Sequence, residues 1–281
     1  MWHLVWRKRS TMVAVVTIVT GSNTGLGKEI AQILYSKNAK VYLLARSEEK
    51  AHIYIASKPL CRNRALHLLF NNAGVAFPQS GAKTEQGYVP EIGVNCLGSF
   101  ALTKLLTPTI ISTAKISPPN SVRVIWVSSN ASEGFTPKNF VHNIAHAENL
   151  TAVGKYFSSK LGNYLHGAEF ANRHMADGVV SVSLNPGALD SDLWREQRSL
   201  VQSFLRATLL HPTIYGAYTC LFAAFSSEIT LEKSGSYVAP WGQLWDVAPG
   251  MVQAGRSKEE GGDGTAKEFW EWSDEQVKKY L

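Results

Sequence analysis

The chain has 281 residues, 45% of them hydrophobic and 18% charged, a balance that excludes intrinsic disorder and supplies apolar material for a sizeable core. Its net charge of +6 comes from scattered basic residues, clustered only at Arg7–Lys8–Arg9 and Lys278–Lys279, so no basic patch argues for a nucleic-acid partner. The three cysteines, Cys61, Cys96 and Cys220, are too widely spaced for a disulfide framework or a C-x-x-C pair, and they fit a reducing, cytoplasmic setting.

The first residues carry their charges after the apolar ones, unlike a secretory leader, and 1–11 read as a flexible tail. Residues 13–19 predict a buried strand far too short to cross a bilayer, and no transmembrane segment is expected. The turn T-G-S-N-T-G-L-G at 20–27 leads into a helix in which Ile30, Ile33 and Leu34 share a face. Strands follow at 40–44 and 65–70, a long helix at 88–111, a strand at 121–127 and a helix at 151–173. A strand at 179–184 is broken by Pro186–Gly187; then come a helix at 212–225, a short strand at 236–239, a surface loop at 254–264 and a terminal helix. This alternation predicts one α/β domain over residues 1–281, a Rossmann-type doubly wound parallel sheet with helices on both faces.

One stretch breaks the pattern. Only 18 residues separate Arg46 from Ala65, whereas a single parallel crossover takes about a dozen or more. A helix, a strand and a second crossover do not fit there. A helix–strand–helix piece is therefore expected to be missing, leaving the sheet a poorly covered edge.

Glycines in the 20–27 turn answer two needs: backbone that approaches a pyrophosphate closely, and amides at a helix N-terminus facing negative charge. The spacing is G-x-x-x-G-x-G rather than G-x-G-x-x-G. Four residues apart on a helix, Tyr156 and Lys160 share a face. An ammonium there is expected to lower the phenol pKa from about 10 and tune Tyr156 as a general acid/base. Arg46, at the tip of the second strand where an acid would bind the ribose hydroxyls of NAD, points to a 2′-phosphate and hence NADP(H).

The glycine turn, N-N-A-G at 71–74, V-N-C-L-G at 94–98, V-S-S at 127–129, Y-F-S-S-K at 156–160 and N-P-G at 185–187 occur in one order along nearly the whole chain. In this the sequence resembles the short-chain dehydrogenase/reductase family, its compact type, and in W-V-S-S and the tail around 237–245 its retinol-dehydrogenase-like members of filamentous fungi. The resemblance implies hydride transfer between NADP(H) and a carbonyl or alcohol, here of a fairly lipophilic small molecule, in secondary metabolism. It assigns catalysis to Tyr156, Lys160, Ser129 and Asn95, with Asn95 holding a water relay to the lysine. It assigns cofactor contacts to Gly21, Ser22, Asn23, Gly25, Leu26, Gly27, Asn72, Ala73, Gly74, Lys104, Tyr156, Lys160, Pro186, Gly187 and Ser191, beside Arg46. Residues 188–211 would form a substrate lid with Trp194 as an apolar wall, and a homodimer would pair helices 88–111 and 151–173. The short 46–66 region raises a rival from another class, a cofactor-binding protein impaired in catalysis. His142 and His146 lack the glutamate of H-E-x-x-H and read as surface residues, without a metal.

Overall fold

The computed structural model describes residues 15–45, 65–134, 138–194, 206 and 208–281. Strands form where apolar, often β-branched residues run on, as such side chains favour the pleated backbone: β1 (Val16–Thr20), β2 (Lys40–Leu44), β3 (Leu68–Asn71), β4 (Arg123–Val127) and β5 (Val180–Leu184). Every residue of β3, β4 and β5 is buried, as expected for parallel strands covered on both faces. A hairpin, β6 (Tyr237–Ala239) and β7 (Gln243–Trp245), completes a seven-stranded sheet in the order β2-β1-β3-β4-β5-β6-β7. All neighbours are parallel except β6 and β7.

One face carries α1 (Gly25–Ser36), whose Ile30 and Leu34 share an apolar cluster with Leu221 of the later helix Thr213–Phe225. The other face carries a π-helical stretch, Glu91–Gly98, that runs into α2 (Ser99–Ala114). Together Glu91–Ala114 is long and apolar enough to span a membrane, but Ile92, Phe100 and Ile110 pack into the core beside the sheet. The short α3 (Phe140–Ala145) precedes α4 (Ala152–His174); after α5 (Thr213–Phe225) come α6 (Pro249–Gly255) and α7 (Thr265–Val277). The loop expected from residue 254 thus starts inside a helix, which Pro249 opens at its first turn. The sequence patterns also miss α3 and β7.

The connectivity places the site. From β1 the chain moves out to β2, then returns past β1 to β3, and the sheet grows onward from there. Open α/β sheets bind ligands at the carboxyl ends of strands where the order reverses, here between β1 and β3. Among the described residues no strand lies outside β2. The segment in which a piece is expected to be missing, with Arg46 at its start, lies outside the described residues, as does the expected tail 1–11.

Residues 158–171 of α4 are buried without interruption. A helix with one bare face shows a stripe instead. Its inner side meets β4 and β5, and its outer side is covered by α6 and α7. At the seam a Cβ on Gly162 would touch the Phe269 ring at 3.1 Å, and one on Gly255 would meet the Tyr164 hydroxyl at 2.8 Å. His166 stacks on Phe269 with ring centroids 4.4 Å apart, and its Nε2 lies 2.9 Å from Ser273 Oγ. Burial pushes the pKa of this imidazole down to about 3 and keeps it neutral. The helix-paired dimer implied by the resemblance is not shown here; within the chain the terminal helices cover the outer side of the 151–173 helix.

Phe269, fully buried, also packs edge-on against Phe140 and parallel to Trp272. Phe269→Ala should cost about 3–5 kcal/mol of stability through lost transfer energy and an unfilled cavity. Urea unfolding measures it, and a change below about 1 kcal/mol would show that α7 does not carry the α4 face.

Candidate active site

The turn after β1 is built as glycine requires. Gly21 and Gly25 adopt φ +65° and +52°, the left-handed region that glycine enters without penalty. A Cβ on Gly27 would stand 2.4 Å from the Gly21 carbonyl oxygen and 2.6 Å from Asn72 Nδ2. Thr24, at the N-cap of α1, offers its side chain to none of the helix's first amides. Those donors face the cleft uncapped, the setting in which helix N-termini take phosphate. The cradle is lashed to β3. Thr20 Oγ1 donates to the Phe70 carbonyl at 3.0 Å and accepts from the amides of Asn72 and Ala73, both at 2.9 Å. Asn72 Nδ2 donates to the Thr20 carbonyl at 2.8 Å.

A cleft of about 1570 Å³ starts at this turn. Gly21, Asn23, Gly25, Leu26, Gly27, Asn72, Ala73 and Gly74 line it, as do Pro186, Gly187 and Ser191. The two loops nearly touch, since a Cβ on Gly25 would lie 3.2 Å from Ser191 Cβ. Gly187, at φ +92°, donates its amide to Asn185 Oδ1 at 2.9 Å. Ser22 is buried instead, its Oγ without a partner, and does not line the cleft.

Tyr156, Lys160 and Ser129 also line it. The tyrosine and lysine lie near the start of α4, whose N-cap Thr151 Oγ1 accepts from the Gly154 amide at 3.1 Å. Ser129 follows β4, with its carbonyl held by Ser132 Oγ at 2.6 Å and by the Tyr237 hydroxyl at 2.9 Å. Lys160 Nζ donates to the Val127 carbonyl at 3.0 Å, and Asn163 Nδ2 reaches the same oxygen at 3.0 Å. Burial pulls the Lys160 pKa down to about 8. Burial likewise pushes Tyr156 up to about 12, and a hydrogen bond with Ser129 works against the rise. The expected lowering of the phenol by its neighbour is thus corrected. Lys160 Nζ sits 5.8 Å from the ring centroid and is turned to Val127, so desolvation outweighs attraction.

Asn95 does not line the cleft. Its Oδ1 accepts from the Val75 amide at 2.8 Å, and its Nδ2 donates to the Val75 carbonyl at 3.0 Å and to Ser159 Oγ at 2.9 Å. Its side chain fixes the loop after β3. It stays close to the lysine, because a Cβ on Gly74 would lie 3.3 Å from Asn95 Oδ1 and 3.6 Å from Lys160 Nζ. Lys104 is a second correction. It pairs with Asp274 of α7, away from the cleft, because its position on α2 points it toward the terminal helix.

The expected lid leaves and rejoins the body at one point. Leu189 and His211 form a parallel bridge, with Asp190 N to His211 O at 2.9 Å and His211 N to Ala188 O at 2.8 Å. Residues 195–205 and 207 lie outside the described residues, as does the Trp194 side chain. Leu189, Leu193 and Leu209 line the cleft. Sequence reasoning missed two contributors, Thr20 and Phe77. Thr20 could have been found as the hydroxyl ending β1, next to the glycine turn.

No family model matches the chain. A short-chain dehydrogenase/reductase of Phomopsis amygdali is 45% identical over 306 aligned positions, covering 96% of this chain and 91% of that relative. Among solved structures, a putative 2-deoxy-D-gluconate 3-dehydrogenase from Agrobacterium tumefaciens with bound NADP covers 83% of this chain and 97% of its own, with a TM-score of 0.60 at 20% identity. A 3-ketoacyl-(acyl-carrier-protein) reductase from Brucella melitensis complexed with NADH covers 81% and 97%, with a TM-score of 0.59 at 17% identity. The fold and cleft define an α/β oxidoreductase of the Rossmann type. The chain belongs to the short-chain dehydrogenase/reductase family. Since 96% of 281 residues is about 270, the alignment of 306 positions opens gaps totalling about 36 in this chain, comparable to the roughly 30 or more residues of a βαβ unit.

The lysine can be weighed by stability. Unfolded chain holds its proton to about pH 10.5, the native state only to about 8, so the destabilisation is complete below 8 and fades as pH rises toward 10.5. Lys160→Met should stabilise the protein by about 3 kcal/mol near neutral pH and by much less near pH 10, with Val127 still bonded by Asn163. Denaturant titrations at both pH values check this; a gain independent of pH would mean the ammonium is not held away from water.

Proposed function

We propose that the chain transfers hydride between NADP(H) and the carbonyl or alcohol of a fairly lipophilic small molecule, with Tyr156 exchanging the proton. The observation that carries this is the convergence of Tyr156, Lys160 and Ser129 on the cleft that begins at the uncapped, glycine-lined start of α1. The residues present fit a dinucleotide: Gly27 has no room for a Cβ, and the N-terminus of α1 offers unpaired amides to a pyrophosphate. Gly21, Asn23, Leu26, Asn72, Ala73 and Gly74 would hold its adenosine and phosphate end, and Pro186, Gly187 and Ser191 its nicotinamide end. When bound, the nicotinamide supplies or accepts the hydride.

The remaining work is the protein's. At neutral pH the Tyr156 phenol is protonated, since burial holds its pKa near 12, and it can give its proton to a carbonyl oxygen. Ser129, which lines the cleft with that phenol, would direct the oxygen toward it. Below about pH 8 Lys160 is charged and stabilises the phenolate left behind. Asn95 acts as a positioning residue, through Val75 and Ser159. Leu189, Leu193 and Leu209 give the substrate end its apolar character. No acid stands at the tip of β2, where the sequence runs Leu44–Ala45–Arg46–Ser47 before Glu48 and Glu49, and this supports NADP(H) over NAD(H). A protein that binds the cofactor without turnover is the second reading, favoured by the short segment after Arg46 and the alignment gaps.

Tyr156→Phe should cut carbonyl reduction by about 10²–10⁴-fold while NADPH still quenches protein fluorescence. Wild-type kcat/KM for reduction should be level below about pH 8 and fall about tenfold per pH unit above it, as Lys160 loses its proton. NADPH binding with no turnover over a broad carbonyl panel, unaltered by Tyr156→Phe, would favour the second reading.

Arg46→Ala should weaken NADPH binding about tenfold or more and leave NADH nearly unchanged, as expected for loss of a guanidinium–phosphate contact. Equal effects on the two nucleotides, read by fluorescence titration, would remove the basis for the NADP(H) assignment.

A further inference from the structure

Among the described residues four other than glycine have φ in the left-handed region, and three are asparagines, Asn38, Asn120 and Asn139. Asparagine enters that region readily. The fourth is Phe77, at φ +51°, followed directly by Pro78, which further restricts the residue before it. A bulky aromatic held so is expected where the surroundings impose it, and such sites cluster at function. The loop is pinned on both sides of Gly74: Asn72 is tied to Thr20, and Val75 is clamped on its amide and carbonyl by Asn95. Core burial does not explain the conformation, because the ring is only half-buried and lines the cleft. It lies against Tyr156, ring centroids 5.3 Å apart and planes at 40°. Phe157 stands on another side of that phenol at 6.4 Å and 65°, and it too lines the cleft.

We propose that Phe77 determines specificity: the substrate is a flat, conjugated carbonyl compound, an aryl ketone or aldehyde, whose ring rests on Phe77 while its oxygen meets Tyr156 and Ser129. This rests on the reading of the cleft given above and adds the substrate class. Aromatic rings attract one another in offset or edge-on geometry at centroid distances of about 4.5–7 Å, the range in which Phe77 and Phe157 already stand from Tyr156. A ring joined to the reacting carbon stays coplanar with its carbonyl, so a side chain that orients the ring also orients the carbonyl. Among the described residues Leu189, Leu193 and Leu209 also line the cleft, and such aliphatic side chains accept flat and puckered groups alike. Of the two aromatic rings beside the phenol, Phe77 stands nearer than Phe157, and discrimination between flat and puckered groups is assigned to it.

The test compares 2-acetylnaphthalene with its fully saturated counterpart, 2-acetyldecalin, on wild type, Phe77→Leu and Phe77→Tyr. Affinity is read by saturation-transfer NMR with NADPH present, and turnover by NADPH oxidation. Wild type should favour the aryl ketone about three- to tenfold. Phe77→Leu should bring that ratio near one with NADPH affinity unchanged, and Phe77→Tyr, which keeps the ring, should restore it. A wild-type ratio near one, binding of neither ketone, or a ratio that survives Phe77→Leu would overturn the proposal. Failure of NADPH itself to bind would instead strike at the oxidoreductase reading. Should Phe77→Leu fold poorly by circular dichroism, the wild-type ratio and the Phe77→Tyr variant still decide the question.

Discussion

The Lys160 ammonium lies away from water with the Val127 carbonyl as its hydrogen-bond partner. Charge in such a place is costly, and a lysine so placed gives up its proton more easily than one in water. Keeping it there demands a stiff frame. The sheet supplies the carbonyl from the end of β4, α4 supplies the lysine, and α4 itself is pressed between the sheet and the terminal helices. Asn163 shares the carbonyl, so Val127 keeps a donor when the ammonium turns toward a ligand. The high phenol pKa has the same origin, since the wall that strips water from the lysine also strips it from Tyr156. One packing arrangement thereby sets both halves of the proposed acid–base pair, an acid that stays protonated and a cation placed to receive the charge left behind.

The reversal at β1 decides where that pair can work. Because β2 and β3 flank β1, the loops after β1 and β3 meet at its carboxyl end, and the helix started by the first loop aims its amides into the gap beside them. Thr20 and Asn72 close the base of the gap with hydrogen bonds that serve no purpose in an ordinary turn.

The strand Arg123–Val127 was legible because, after its arginine, it reads as a continuous apolar run, and Val180–Leu184 because its β-branched valines alternate with serines, although both strands are buried throughout. Helix α4 was expected at 151–173 and runs Ala152–His174, with Thr151 as its cap. Short elements at the rim were not. β7 has three residues, two of them exposed, and no apolar run to betray it; α6 begins with Pro-Gly, a pair that ordinarily marks a turn. The site divides in the same manner. Residues fixed by local geometry, such as Gly21, Gly25 and Gly27, could be named from spacing alone. Lys104 could not be placed, because its partner Asp274 is 170 positions away and only the packed helices bring them together. The pKa of Tyr156 was misjudged for a similar reason, since periodicity puts two side chains on one face but says nothing of how much water remains between them.

Terminal helix α7 covers the outer side of α4 from within the chain. An outer face of α4 left bare would expose Tyr164, Ala168 and the His166 ring, and a neutral imidazole of that kind needs either water or a dry partner. Phe269 and Ser273 provide the partner, the first by stacking and the second by a hydrogen bond. The same helix meets α2 through Asp274 and Lys104. It therefore braces from within the chain the two helices that carry Asn95 at one end and Tyr156 with Lys160 at the other. The precision needed at the cleft, where a few tenths of an ångström separate a useful hydrogen bond from a poor one, is set by side chains more than a hundred residues downstream.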